Sequence, residues 1–175
     1  MEDYSNIPID TLDLPRFEEV QLTPLRAGYY KIVLINIALF YLLLAIAIGI
    51  GIYYLDEARP YLYTAIIISV IMLVLTLVIS RISFKNKGYA FRTHDVIYRS
   101  GALALTTTII PYNRVQHVAV HEGFISRKLG LAAVEVFTAG GNSSDVKIPG
   151  MDKQHAEKIK QLLMGKVLNE ETDAA

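Results

Sequence analysis

Four histidines are the residues best suited to acid–base or metal chemistry in this chain, which contains no cysteine. His117 and His121 are four residues apart, and on a helix that spacing would let both bind one metal ion. Their segment instead alternates, with Val118 and Val120 on the opposite side, which predicts a β-strand. On a strand the two histidines share a face but lie roughly 13 Å apart, which is too far for one ion.

The other candidate catalytic groups lack the partners that chemistry would need. His94 falls in a predicted turn and His155 in the first turn of a predicted helix, with no carboxylate pair at catalytic spacing around either. Ser143 and Ser144 have no evident activating base. Gly140-Gly141 lacks the Gly-Lys-Ser/Thr ending of a phosphate-binding loop. The sequence therefore predicts no catalytic residue, no metal site and no cofactor, and it predicts structural or surface histidines.

The elements that could position a site begin with two uncharged apolar runs, Ile32 to Leu55 and Tyr61 to Ser80, joined by Asp56 to Pro60. The runs hold 24 and 20 residues. As helices they would be roughly 36 and 30 Å long, enough to cross a hydrocarbon core of about 30 Å. A buried helix pair is the alternative, but 44 residues without Asp, Glu, Lys or Arg are hard to place in a soluble domain of this size. We therefore predict a transmembrane helical hairpin.

Basic residues set the expected orientation of this hairpin. The connecting loop holds only Arg59, whereas seven basic residues lie next to the other ends of the two runs: Arg26, Lys31, Arg81, Lys85, Lys87, Arg92 and Arg99. By the positive-inside rule both termini, including an N-terminal tail over residues 1–31, are expected in the cytoplasm. The predicted location is the cell membrane, with two spans.

Small residues on the first helix predict a packing face. Ala38, Ala45 and Gly49 fall on one side, where a second backbone could approach closely, either within the hairpin or from a partner. Asn36 is polar and lies about one turn inside the inner boundary, where a bond to a neighbouring helix or to interfacial water is a simpler interpretation than a substrate contact. A second copy of the chain could also pack against this face in a homo-oligomer.

After Arg81 the hydrophobic period changes from helical to alternating, which predicts a β domain over residues 81–168. Turn residues separate six candidate strands: Gly88 to Arg92, Val96 to Ser100, Leu103 to Ile110, Val115 to Glu122, Ala132 to Thr138 and Ser144 to Ile148. Gly140 to Ser143 is predicted as a hairpin loop. Asp152 is predicted to cap a final helix, and residues 169–175 are expected to fray.

Consecutive blocks in this domain carry a family resemblance. They are Tyr89-Ala90-Phe91-Arg92-Thr93, Ile110-Pro111-Tyr112-Asn113-Arg114-Val115-Gln116-His117-Val118, Leu129-Gly130-Leu131-Ala132, Thr138-Ala139-Gly140-Gly141 and Ile148-Pro149-Gly150. In their order and spacing, and after two membrane helices, they resemble the bacterial membrane-flanked pleckstrin-homology-like (PH-like) domain family in its short YdbS-like form. The resemblance implies a partly open antiparallel barrel of two packed sheets, capped by the C-terminal helix and held at the inner face of the membrane. It implies no activity.

The family context suggests a protein partner, namely a second membrane protein that bears related domains. Some eukaryotic relatives bind phosphoinositides through a basic loop, but the matching loop is Thr93-His94-Asp95, which is short and has no lysine. Nucleic acid is not expected, because the basic residues of the domain are spread along its length. Arg114 and Gln116 are interpreted as structural, with Arg114 holding a corner by bonding to backbone carbonyls.

The predicted working surface is the segment Phe124, Ile125, Arg127 and Lys128, which sets apolar residues beside basic ones. Such a mixture suits a protein partner or the anionic lipid of the inner leaflet. A solvated turn or a short helix without a binding role is the alternative. Leu129 and Leu131, which follow directly, are expected in the core.

These features together predict a non-enzymatic, membrane-anchored interaction module. It would present a PH-like domain at the cytoplasmic face of the membrane and recruit a protein or peptide through an exposed sheet edge or groove. The alternative is an accessory subunit of a membrane transport or envelope-stress complex that acts through its transmembrane helices.

A reporter enzyme that is active only outside the cytoplasm tests the orientation. Fused to Ala175, it should be inactive, because the basic residues next to the spans hold the C-terminus inside. The same reporter inserted after Glu57, in the connecting loop, is the positive control and should be active. An active fusion at Ala175 would show that the C-terminus lies outside the cytoplasm, which contradicts the predicted orientation.

Overall fold

The computed structural model describes residues 19–54, 56–138 and 146–173. The described chain forms a helical hairpin, two antiparallel sheets and a C-terminal helix. The predicted hairpin loop at Gly140 to Ser143 lies outside these residues, as does most of the predicted N-terminal tail.

The hairpin consists of two long helices, α1 over Ala27–Tyr54 and α2 over Leu62–Asn86, joined by a short 3₁₀ segment at Asp56–Tyr61. Ile32 is the one buried side chain of α1, and α2 has none. Apolar side chains exposed around a whole helix are stable in hydrocarbon but not in water, where a surface helix needs a polar face. The hairpin therefore requires a bilayer, as the two uncharged runs predicted.

Seven strands form two sheets. The first sheet has the order β1–β2–β3–β4, with β1 at Thr23–Pro24, β2 at Gly88–Phe91, β3 at Asp95–Ser100 and β4 at Thr106–Pro111. The second has the order β5–β6–β7, with β5 at Val115–His121, β6 at Leu131–Thr138 and β7 at Val146–Asp152. A short helix, α3 at Phe124–Lys128, joins β5 to β6, and α4 at Lys153–Asp173 follows β7.

The sheets enclose one core that α4 closes. Val134, Val136 and Ile148 are fully buried between them. Helix α4 adds a buried face formed by Ala156, Ile159 and Leu163. The spacing of these α4 residues places them on one side of the helix. The predicted cap is confirmed, since Asp152 Oδ1 accepts the N–H of Gln154 at 3.2 Å. The predicted fold, an open barrel of two sheets with a C-terminal helix, is confirmed.

One predicted strand begins too early. The chain from Gly101 to Leu105 is a loop, and β4 starts only at Thr106. Gly101 has a φ of 131°, and a Cβ there would lie 1.8 Å from the carbonyl oxygen of Ala104. This tight turn prevents strand geometry, and it leaves Leu103 and Leu105 exposed.

The corner between the sheets is held by Tyr112 rather than by Arg114. The Tyr112 hydroxyl donates to the carbonyl oxygen of Arg92 at 2.6 Å, and its backbone N–H donates to that of His94 at 3.0 Å. Arg92 also forms a two-pronged ion pair with Asp95. Arg114 is exposed, so the interpretation that its guanidinium holds the corner is wrong. A buried hydroxyl close to a backbone carbonyl does this instead.

The hairpin joins the β domain without a linker. Leu25 belongs to the core only two residues before α1 begins, and the backbone N–H of Arg26 donates to the carbonyl oxygen of Gly150 at 3.2 Å. Tyr29, in the first turn of α1, packs against this core together with Phe84 of α2, with 6.5 Å between the two ring centroids. The segment predicted as a tail therefore contributes β1 and part of the core.

A close contact at Gly150 predicts that this junction is sensitive to an added side chain. Gly150 has a φ of 69°, and a Cβ there would lie 2.5 Å from the Cβ of Tyr29. Gly150→Ala should lower the free energy of unfolding by about 3 kcal/mol, combining the left-handed backbone with overpacking. Gly130 is the matched control, because its φ is 65° but no atom lies within 4 Å of its Cβ position.

Gly130→Ala should therefore cost only about 1 kcal/mol, the backbone contribution alone. Denaturant unfolding of the full chain in detergent micelles, followed by tyrosine circular dichroism, measures both variants. Equal losses for the two glycines would show that Tyr29 does not press on Gly150.

Candidate interaction surfaces

The predicted working surface lies at the end of the β domain next to the first membrane helix. Leu131, at the start of β6, approaches to 3.3 Å of the Cβ position of Gly28, and α3 contacts α1. Phe124 is 68% exposed, and Lys128 Nζ lies 4.8 Å from the centre of its ring, a cation–π distance. Arg127 is exposed as well. Basic and aromatic groups are thus brought together, as the sequence predicted.

The remaining residues of this segment differ from one another. Ile125 is half-buried against the domain, so it supports α3 more than it offers a contact. Leu131 is 5% exposed and belongs to the interior, but Leu129 is 43% exposed. Its assignment to the core is therefore wrong. Leu129 follows the last turn of α3 and lies outside the sheet, while the pleat of β6 turns only Leu131 inward.

A groove opens on the side of the β domain, where the barrel is not closed. It has a volume of about 620 Å³ and is called the side groove below. Its lining consists of Thr23, Arg26, Tyr89, Phe91, Asp152, Gln154, His155 and Lys158. No local sequence pattern indicates this groove, because its residues come from three segments that are distant along the chain.

The side groove has an aromatic floor and a polar wall. Tyr89 and Phe91 of β2 meet edge to face, with 5.7 Å between ring centroids. Burial raises the pKa of Tyr89, and the positive charge of Arg26 partly opposes that shift. Arg26 pairs with Asp152 at 3.2 Å, leaving His155 and Lys158 as exposed basic groups on α4. The side groove therefore combines an aromatic floor with exposed basic side chains on one wall.

The small residues of α1 line a second space, inside the membrane. Ala45 and Gly49 border a cleft of about 390 Å³ between α1 and α2, called the helix cleft below, whereas Ala38 is exposed outside it. No atom lies within 4 Å of a Cβ placed on Gly49. At this level the two helices do not use the small face to approach each other closely.

A polar contact joins the two helices on the side of the helix cleft nearer to the β domain. The Tyr41 hydroxyl lies 3.0 Å from Thr76 Oγ1, which itself donates to the carbonyl oxygen of Met72 at 2.8 Å. Sequence analysis missed Tyr41, although a tyrosine far from either membrane boundary was a signal for such a contact.

Comparison with known proteins identifies the family. Residues 22–167 match the family model described as "Bacterial PH domain". The chain belongs to the bacterial PH domain family. It is 28% identical over 143 residues to the UPF0699 transmembrane protein YdbS of Bacillus subtilis (strain 168), an alignment that covers 80% of this chain and 87% of that protein. No solved structure matches the chain significantly. The resemblance seen in the sequence is confirmed, and the chain is a membrane protein with a bacterial PH domain.

One histidine of this bacterial PH domain packs against a neighbouring aromatic ring. His117 stacks on Phe137 of the neighbouring strand, with 4.1 Å between ring centroids and 15° between ring planes. His117 and His121 both lie on β5, so the helical arrangement that would bring them to one metal ion does not occur. Among the residues described, no group of three or more His, Cys, Asp or Glu could hold a metal ion.

The helix cleft allows a test of the hairpin. Gly49→Leu should leave the melting temperature in micelles unchanged or raise it by a few degrees, because leucine enters open space and is a better helix former by about 1 kcal/mol. Ala38→Leu, at an exposed position outside the cleft, is the control for added apolar surface. A marked drop for Gly49→Leu alone would mean that the helices pack closely at this level.

Proposed function

We propose that this protein is a non-enzymatic, membrane-anchored module that recruits a protein or peptide at the cytoplasmic face of the membrane. The basic residues beside the spans favour a cytoplasmic position for the β domain and for both termini. The proposed partner is a membrane protein, and one that bears a related PH-like domain fits the family context. A domain fixed directly to two spans would act by holding its partner close to the inner leaflet.

The side groove is the observation that carries this proposal. β1 is only two residues long and pairs with Gly88 and Tyr89, so within the described chain no strand pairs with the outer edge of Ala90 and Phe91. An unpaired strand edge is a template for an added strand. A volume of 620 Å³ lies within the roughly 300–1,000 Å³ of typical binding pockets.

The charges of the side groove indicate what kind of segment would fit. Its one carboxylate, Asp152, is engaged by Arg26, while His155 and Lys158 on the α4 wall face solvent. An extended segment with an acidic side chain opposite Lys158 and an apolar side chain over Phe91 would complement both surfaces. We therefore favour an acidic peptide segment over a neutral small molecule.

Site-specific photo-crosslinking tests the proposal in native membranes. A photoreactive amino acid at position 154, on the groove wall, should give a discrete crosslinked product with one partner. The same probe at position 166, farther along α4 and outside the groove lining, is the control. Lys158→Glu should reduce the crosslink at position 154 several-fold, because it reverses the charge that faces the acidic segment.

Lys166→Glu makes the same charge change on the same helix and should leave that crosslink unchanged. Equal crosslinking from positions 154 and 166, or an equal loss of crosslinking with both charge reversals, would show that the side groove does not bind the partner. The melting temperatures of the two variants should match, since both lysines lie outside the buried face of α4.

The helix cleft favours a second candidate function, an accessory subunit of a membrane transport or envelope-stress complex that acts through its helices. Ala45, Gly49 and Ser69 border the cleft and provide the small and polar surface by which membrane helices associate. If this function is the correct one, Gly49→Leu should abolish partner crosslinking while Lys158→Glu leaves it intact.

A further inference from the structure

Two exposed leucines lie on the loop between β3 and β4. Leu103 is 90% exposed and Leu105 is 58% exposed, although both could have been buried by the strand that the sequence predicted. A loop in water is normally polar, and the side chains between Gly101 and Thr106 are all apolar: Ala102, Leu103, Ala104 and Leu105. An apolar loop tip indicates an apolar neighbour.

The strand register places this loop next to the membrane helix. Gly88, which follows α2 after one residue, pairs with Arg99 near the end of β3. The side chain of Asn86, the last residue of α2, donates to the carbonyl oxygen of Gly101 at 3.3 Å. The leucine loop is therefore fixed to the cytoplasmic end of the second span and lies far from the opposite end of the domain, where Tyr112 holds the corner.

Distances allow the loop to reach the bilayer. Asn86 is six residues beyond Ser80, where the apolar run ends, so its Cα lies roughly 9 Å below the hydrocarbon edge if the helix is upright. Two extended residues from Gly101 to Leu103 span up to roughly 7 Å. The headgroup and interfacial layer is roughly 5–7 Å thick on each side. Leu103 is thus within reach of that layer.

A second apolar tip lies at α3, which contacts the other helix of the hairpin, α1. Phe124 and Leu129 are exposed there, α3 contacts α1, and Leu131, three residues after α3, lies against Gly28 in the first turn of α1. Ile32 is the only buried side chain of α1, and no side chain deeper in this span is buried. The two tips therefore flank the hairpin at the same end of the domain.

The charges around the two tips match an anionic surface. Lys85 lies in the last turn of α2 near the leucine loop, and Arg127 and Lys128 lie on α3. None of these three forms a salt bridge within the described residues, whereas the acidic groups of this end, Asp152 and Glu122, are both paired with basic side chains. The surface that faces the bilayer is therefore apolar at its tips and basic around them.

We propose that the β domain docks on the inner leaflet through these two tips, with Leu103 and Leu105 on one side of the hairpin and Phe124 and Leu129 on the other. The occupant of both surfaces is lipid, at the level of the headgroups and the first acyl carbons. This docking goes beyond partner recruitment and does not depend on the side groove. It adds contacts with lipid to the packed junction that already holds the domain on the hairpin.

The chain contains no tryptophan, so one introduced tryptophan reports on one position. Leu103→Trp and Phe124→Trp place it at the two tips, and His94→Trp places it in the exposed turn at the far end of the domain. Each full-length variant is reconstituted as one copy per nanodisc of phosphatidylcholine and phosphatidylglycerol, with or without brominated acyl chains. Both tip variants should show blue-shifted emission and lose most of their fluorescence to the brominated lipid, while His94→Trp should do neither.

The fluorescence of each tip variant tests docking at that tip separately. Emission at the wavelength of a water-exposed tryptophan, without quenching by brominated lipid, overturns docking at that tip. Blue-shifted emission without such quenching also overturns it, because a single copy then buries the tip against its own protein surface. An unchanged melting temperature for all three variants, whose substituted side chains are exposed, verifies that the domain stays folded.

Discussion

The contact between Tyr29 and Gly150 is the constraint on which the arrangement of this protein depends. Tyr29 lies in the first turn of a membrane helix, and Gly150 lies on β7 next to the N-terminus of α4. Because glycine adopts the positive φ and leaves no Cβ, the Tyr29 side chain comes directly against the strand backbone at this point. The β domain and the hairpin therefore share one packed core, and the domain cannot swing away from the membrane without breaking it.

This junction orders the surfaces of the domain by their distance from the bilayer. The leucine loop and α3 lie at the junction end, held there by Asn86 and by the start of β6. The turn of His94 and the corner at Tyr112 lie at the opposite end, and the side groove runs between the two along β2 and α4. A domain on a flexible linker would sample many orientations, whereas here the junction sets which surface lies toward the bilayer and which lies away from it.

Much of this fold is predictable from the sequence, and the parts that are not have physical reasons. The spans follow from the absence of charge, and six strands follow from alternation. The two-residue β1 is too short to show any hydrophobic period. The segment that contains Leu103 has the apolar composition of a strand, but it follows Gly101, whose backbone turns the chain. Of the candidate surfaces, the basic and aromatic segment at Phe124 was visible as a local pattern. The side groove was not, since no local pattern links β1 and β2 to α4.

The two candidate functions are connected through Arg26. This residue directly precedes α1, lines the side groove and pairs with Asp152 at the start of α4. The pair is largely exposed, so it contributes little to stability and can break at low cost. The backbone of Arg26 is also bonded to Gly150, so a partner helix that enters the helix cleft and tilts α1 would move one wall of the side groove only by disrupting this junction. Contacts within the membrane and contacts at the groove would then be energetically coupled, each altering the affinity of the other by the same factor.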